Sequence, residues 1–438
     1  MRFFEDAQNR NNMNRRSTHN ILDVLLIILN LSTTYSFLPY LLFTSKMGIN
    51  ALIVSITTLI YLIFRFRKPF KPRGSVFLFI IYISLMFVNA AFGLYTKTYS
   101  IGLSVLLFQN ILFYYLLQNV FYNSHSNENV DFNIKVSSIT RGYNLYICYS
   151  LFVILLLFFL IIIFNLSPFN NPVNEKAELF LSNIETGYGA SNYFFPYYIS
   201  VFYESSDIRI PFFQKDGFIT GFFHEPHVVG LLSTPAVIFS LGESIPLRRK
   251  KIICISLLLV CCISASTVNI ISILITVLVF FLVKYKKRMV YAFLIIPVLL
   301  FVIYRMSSLA VFDFIFSKFA SESFIDTITR LTFAFTPKTI LGSNFITYDM
   351  FNSYGGEDVG YIVCFLNVTF LLSCYYKIYY ILFKSQYVFI GLGIFYFFLH
   401  SVKIGMPTLS LSFLVFVFFI LDKCYEKSRI ERISMKQR

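Results

Sequence analysis

Long apolar runs alternate with short polar breaks along almost the whole chain. Runs of roughly 16 to 22 residues, the length that carries a helix across a bilayer core, fall near 21–43, 48–64, 75–95, 100–118, 145–166, 228–242, 252–268, 269–283, 289–304, 359–375, 386–402 and 404–421. Twelve crossings place both termini on one side. Two of the breaks are long, at 167–227 and 305–358. The expected architecture is therefore one all-α polytopic membrane domain over 1–438, with about twelve transmembrane helices and two larger external loops. Composition agrees: 57% of the 438 residues are hydrophobic and 13% charged, with 54 Phe and 30 Tyr. A soluble domain could not enclose that much apolar surface.

The net charge of +15 invites a nucleic-acid reading, which its distribution excludes. Most of the 37 Lys and Arg lie in breaks on the side of the termini, including Arg10, Arg15 and Arg16, the run Arg65 to Arg73, and Arg248-Arg-Lys-Lys251. Basic residues accumulate on the cytoplasmic side of a membrane, so both termini are expected in the cytoplasm and the first helix, which lacks a signal-peptide cleavage pattern, is retained. Residues 119–144, rich in Asn and Ser, read as a cytoplasmic loop. Asp23, at the start of the first span, reads as a helix N-terminal charge favoured by the dipole. Six of the seven Cys fall in or at the ends of spans and Cys424 in the tail, so no disulfide framework is implied.

The first external loop carries seven acids, few bases and recurrent aromatics, among them Tyr193, Phe194, Phe202 and Tyr203. Carboxylates beside aromatic faces suit carbohydrate. They equally suit a helix lying flat at the interface, with Tyr and Phe as its belt. The loop ends in Gly221-Phe-Phe-His-Glu-Pro-His-Val-Val-Gly230, which gathers two of the five His. A polar cluster at the point of membrane re-entry is costly and marks a candidate site. His224-Glu-Pro-His227 lacks the helical spacing of a zinc motif, and no metal or other cofactor is expected. The segment also reads as a helix start, with Pro226 in the first turn. Farther on, Ser264-Ala-Ser-Thr-Val-Asn269 predicts a tight external turn between two helices. The second external loop holds Arg305, Arg330 and Lys338, and ends in Tyr354-Gly-Gly-Glu-Asp-Val-Gly360. Glu357 and Asp358 there also fit acids at a helix start.

This order of features resembles the O-antigen polymerase family (the Wzy type). The resemblance rests on the Gly-Phe-Phe-His-Glu-Pro-x-x-x-Gly segment, the Ser-rich turn, and a second loop with an arginine, a later Gly and an Asp-x-Gly entry into a helix. Its informative parts are roughly 217–235, 262–272 and 330–360. It implies a GT-C-like fold in a bacterial inner membrane and an inverting glycosyl transfer at the outer face. The growing chain on undecaprenyl diphosphate would be donor and a single lipid-linked repeat unit acceptor. A flippase and a chain-length regulator of the same pathway are the implied partners, besides membrane lipids. Such a site must neutralise a diphosphate and take a hydroxyl proton. Arginine suits the diphosphate, since its planar fork grips phosphate oxygens. Arg330 stands foremost, then Arg209, with Arg305 and Lys338 assisting and His227 and Asp358 beside the substrate. Either His224 or Glu225 would be the base.

A lipid-linked oligosaccharide flippase or other multi-pass transporter is the rival reading. It predicts charges at mid-membrane or interrupted helices in matching halves, whereas here the ionisable residues collect in two loops. An O-antigen ligase is nearer in chemistry but presents a histidine in the second loop, and none lies between Arg305 and Asp358.

Overall fold

The computed structural model describes residues 21–33, 47–65, 101–123, 132–164, 193–194, 201–204, 217–221, 223, 226–242, 248, 251–252, 255, 267–284, 372–401 and 407–437. Nearly all of them are helical. In chain order the helices are α1 (Ile21–Ser32), α2 (Met47–Arg65), α3 (Ile101–Asn123), α4 (Phe132–Phe164), α5 (Pro226–Gly242), α6 (Thr267–Lys284), α7 (372–384), α8 (Val388–Ser401) and α9 (Pro407–Gln437). Three of the described helices contain stretches long and apolar enough to cross a membrane: Gly48–Arg65, Ser104–Tyr122 and Ile139–Leu157. Four shorter apolar helices accompany them, at Ile21–Ser32, Val228–Gly242, Ser272–Lys284 and Val388–His400. The expected spans at 75–95 and 289–304 and most of those at 252–268 and 359–375 lie outside the described residues.

Three local expectations are corrected. The supposed loop 119–144 is largely helix, since α3 runs to Asn123 and α4 begins at Phe132. Two of its polar residues, Asn119 and Thr140, are buried, and the Thr140 hydroxyl donates to the Val136 carbonyl at 3.2 Å; just before it, Gln118 Nε2 donates to the Tyr114 hydroxyl at 3.1 Å. The later half of the turn expected at 264–269 is helix, because Thr267, Val268 and Asn269 already form the first turn of α6; residues 264–266 lie outside the described residues. The described part of the first long loop is a sheet, not an interfacial helix. Strands β1 (Tyr193–Phe194), β2 (Val201–Glu204) and β3 (Gly217–Gly221) pair antiparallel in the order β1-β2-β3. Phe194 pairs with Phe202 and Tyr203 with Phe218, with an irregularity between Val201 and Phe202. Aromatic residues favour such a pleated surface.

The sheet sits at one end of the bundle, where β3 packs against α4 and α5. Aromatic contacts cross the largely aliphatic core. The Tyr143 ring of α4 lies 4.9 Å from Phe416 of α9, and Phe419 stands edge-on to Tyr114 and Phe121 of α3. Glycines bring helix axes together where side chains would keep them apart. A Cβ on Gly393 of α8 would lie 2.5 Å from the Phe239 ring of α5, and one on Gly242 3.0 Å from Phe389 Cβ.

Polar clamps join the helices. In α1, Asn30 Nδ2 donates to Thr58 Oγ1 of α2 at 3.0 Å; Gln109 Nε2 of α3 donates to Thr33 Oγ1 at 2.7 Å and to Asn30 Oδ1 at 3.3 Å. Asp23 is buried, and its carboxylate accepts from Arg65 Nη1 and from the Tyr61 hydroxyl, each at 2.5 Å. It is the inner half of an interhelical ion pair rather than a solvated helix-start charge. Near the middle of α9, Lys377 bonds Asp422 at 2.6 Å and Lys423 bonds Glu426 at 2.9 Å. Burial alone would lower the Lys423 ammonium, but Tyr122 and Glu426 outweigh it and hold it above the ordinary lysine range.

Breaking a buried pair from one side strands a charge, at a cost of about 3–5 kcal/mol. Arg65→Ala is therefore expected to lower the thermal midpoint of the detergent-purified protein markedly, and Asp23→Asn combined with Arg65→Met to recover most of the loss. A midpoint for Arg65→Ala equal to that of the parent would contradict the pairing.

Candidate functional site

The Gly221–Gly230 segment links the sheet to the bundle. Gly221 closes β3, and two residues on Phe223 turns inward, fully buried, with its ring edge-on to Tyr146 of α4 at 6.1 Å. Pro226 then opens α5. This is the position where a missing N–H costs nothing and a fixed φ helps, so the structure agrees with the reading of Pro226 as part of a helix start. Val228 and Val229 are enclosed at once.

Gly230 is where the segment meets the rest of the chain. A Cβ built on it would collide with Oδ1, Nδ2 and Cγ of Asn269, in the first turn of α6. The absence of a side chain at 230 lets an amide lie flat against the helix. The Asn269 amide is in turn held by α8: the Tyr396 hydroxyl donates to Oδ1 at 3.0 Å, and His400 Nε2 lies 2.6 Å from the same oxygen. The Tyr396 and His400 rings are 5.6 Å apart, and all three side chains are fully buried. Three helices thus converge on one carbonyl oxygen near their ends: Asn269 is two residues into α6, His400 one residue from the end of α8, and Gly230 four residues into α5.

The next turn of α5 is also polar. Ser233 and Thr234, three and four residues on from Gly230, share its face of the helix. Both hydroxyls, together with Asn269 Nδ2, are buried without a hydrogen-bond partner among the described residues. A buried donor left unmatched costs about 1–3 kcal/mol. Pro235 removes the N–H that would serve the Leu231 carbonyl, and in this loosened turn the Tyr143 hydroxyl of α4 donates to the neighbouring Leu232 carbonyl.

Of the candidate catalytic and substrate-binding residues, only the backbone of His227 is among the described residues, in the first turn of α5. His224 and Glu225 lie between Phe223 and Pro226 but outside the described residues, as do Arg209, Arg305, Arg330, Lys338 and Asp358. The structure instead brings together Gly230, Asn269, Tyr396 and His400, the last three not among the sequence candidates. One signal for His400 was legible: it is an ionisable side chain inside an otherwise apolar span, which marks a functional position by default. Among the described residues no three His, Cys, Asp or Glu side chains could hold a metal ion.

No protein-family model matches the chain, and neither the curated proteins nor the solved structures contain a significant match to it.

Helix propensity alone would make Gly230→Ala stabilising by about 1 kcal/mol. The methyl, however, would enter a short, doubly hydrogen-bonded amide inside a closed bundle, and overpacking of that kind costs about 1–3 kcal/mol. The expected sign is destabilising. Gly230→Ala should lower the thermal midpoint in detergent, and adding Asn269→Ala should relieve part of the loss. A raised midpoint in the single variant would refute the close approach.

Proposed function

We propose that this chain is a surface-polysaccharide polymerase of the inner membrane of a bacterium. It would join undecaprenyl-diphosphate-linked repeat units into an O-antigen or a related polymer. The observation that supports the reading most is the meeting of Gly230 with Asn269. Two of the three segments that carry the resemblance, around 217–235 and 262–272, are packed against each other where the strand of the first long loop enters the bundle.

In the proposed reaction an acceptor hydroxyl oxygen bonds to the anomeric carbon of the donor sugar. The bond from that carbon to the diphosphate oxygen breaks, and its electron pair leaves with the diphosphate. Arg330 and Arg209 are the groups assigned to the diphosphate, because a guanidinium stays charged and grips phosphate oxygens in pairs. Arg305 and Lys338 add positive charge, and His227 and Asp358 are assigned to the sugar side. His224 and Glu225 compete as the base that takes the hydroxyl proton. Both termini lie in the cytoplasm in this reading, and the long loops face outward.

A second reading draws on the amide network of α1, α2 and α3. Gln109 Oε1 and Asn110 Oδ1 are buried acceptors without a partner among the described residues, and polar groups inside a membrane bundle are a property of transport pathways. Deletion of the gene, with surface glycolipids separated by size, decides between them. Loss of long chains with retention of a single unit on the lipid is the expected result. Loss of both would favour the transporter. In the complemented strain Arg330→Ala should abolish polymer while the protein remains inserted; normal chain lengths from that variant would remove Arg330 from the site.

A further inference from the structure

We propose that Lys384 and Arg432 form a binding site for the phosphate of an anionic phospholipid, in the leaflet that surrounds the C-terminal part of α9. The contacts of α7 and its following turn with α9 pair Lys377 with Asp422, Tyr380 with Tyr425 and Gln386 with Glu431. The two helices therefore run parallel and leave the bilayer together. The chain from Leu372 onward holds three acids, Asp422, Glu426 and Glu431. Each is taken by a lysine: Lys377 at 2.6 Å, Lys423 at 2.9 Å and Lys427 at 3.6 Å. Lys384 and Arg432 are exposed and have neither a carboxylate nor a hydrogen-bonding partner among the described residues. What they share is a ring. Lys384 Nζ lies 5.7 Å from the Tyr380 centroid and 5.5 Å from that of Tyr379, and Arg432 Cζ lies 6.0 Å from that of Tyr380. A ring attracts a cation but carries no net charge, so two positive charges gather on one side chain without a counter-ion.

Depth distinguishes this pair from an ordinary solvated surface. The apolar stretch of α9 ends at Leu421, and Tyr425 stands about 6 Å beyond it at a rise of about 1.5 Å per residue. The headgroup layer is about 5–7 Å thick on each side of the hydrocarbon, so Tyr425, and Tyr380 level with it, stand within that layer. The Arg432 Cα is about 16 Å past Leu421 by the same rise, yet its guanidinium returns to the Tyr380 ring. Side chains lean toward the N-terminus of their helix. For both α7 and α9 that is the bilayer side, so both cations are delivered to headgroup level. Tyr375, Tyr376 and Tyr379 are exposed around them, and tyrosine settles at that boundary in a chain without Trp. Arg429 adds a third charge near the Tyr425 hydroxyl. A basic cluster just beyond a span attracts anionic lipid, and an arginine fork beside a lysine suits phosphate oxygens. This end of the bundle is the one away from the sheet: α8 starts beside it at Val388 and reaches His400, against α6, at the other end. The lipid site is therefore separate from the outer loops and from the reaction assigned to them.

The test uses the full-length protein in a neutral detergent, titrated with phosphatidylglycerol or with phosphatidylcholine of the same acyl chains. Bound lipid is counted by native mass spectrometry, and the thermal midpoint is followed alongside. Saturable binding of phosphatidylglycerol with a raised midpoint is expected, and clearly weaker binding of phosphatidylcholine. Lys384→Gln combined with Arg432→Gln should weaken the phosphatidylglycerol site about 30-fold. Lys427→Gln removes a charge that Glu431 already neutralises and should leave the affinity nearly unchanged. A comparable loss in Lys427→Gln would replace the site by diffuse surface charge and overturn it. So would unchanged binding in the double variant, or equal affinity for the two lipids. Inorganic phosphate that displaces the lipid at equal concentration would mark a site for a soluble anion, and would overturn the lipid assignment as well. The comparison of the two lipids is made on the unaltered protein, so it decides the outcome whether or not a variant folds.

Discussion

Helices in a membrane are not pushed together by the hydrophobic effect, because lipid tails are as apolar as the leucines they would replace. Close packing and hydrogen bonds between helices must supply the association instead. The contact of Gly230 with Asn269 supplies both at one point. The glycine removes the side chain that would hold α5 and α6 apart, and the amide that fills the space accepts two hydrogen bonds from α8. The donors, Tyr396 and His400, are one helical turn apart, so α8 cannot rotate or slide along its axis without losing one of them. A single oxygen therefore sets the depth and rotation of three helices where the loop strand joins them.

The other polar clamps follow the same logic at other heights of the bundle. Asn30, Thr33, Thr58 and Gln109 join α1, α2 and α3 through neutral groups, whose desolvation is moderate. Asp23 and Arg65 do so through charges and are correspondingly less tolerant of losing one partner. Cations over aromatic rings join α9 to α7, with Lys377 4.9 Å from the Phe418 ring centroid near the middle of α9 and Arg432 6.0 Å from that of Tyr380 farther along.

The membrane class was legible because it depends only on runs of apolar residues, and those survive any uncertainty in helix ends. Residues 119–144 were misread for a specific reason. Asn, Ser and Thr are as hydrophilic inside a bundle as outside it, and only their neighbours reveal that Asn119 and Thr140 are enclosed. The small sheet was missed because strands of two to five residues offer too few positions for alternation to register. The candidate site was half legible. Gly230 closes a motif whose His and Pro attract attention, but the reason for a glycine there lies in α6. The bond between Asn269 and His400 spans 131 residues, and no pattern along the chain encodes that distance.

The last helix has a mechanical consequence. At 31 residues and about 1.5 Å per residue, α9 measures about 46 Å, against a hydrocarbon layer of about 30 Å. An uninterrupted rod of that length is a lever. Lys377 and Asp422 tie it to α7 near its middle, and Phe413, Phe416 and Phe419 wedge its N-terminal half against Tyr143, Tyr114 and Phe121. A small tilt imposed on the protruding segment would be carried through that fulcrum to the aromatic packing of α4, whose Tyr143 holds the loosened turn of α5. A load on the tail would in this way be felt within one turn of Gly230.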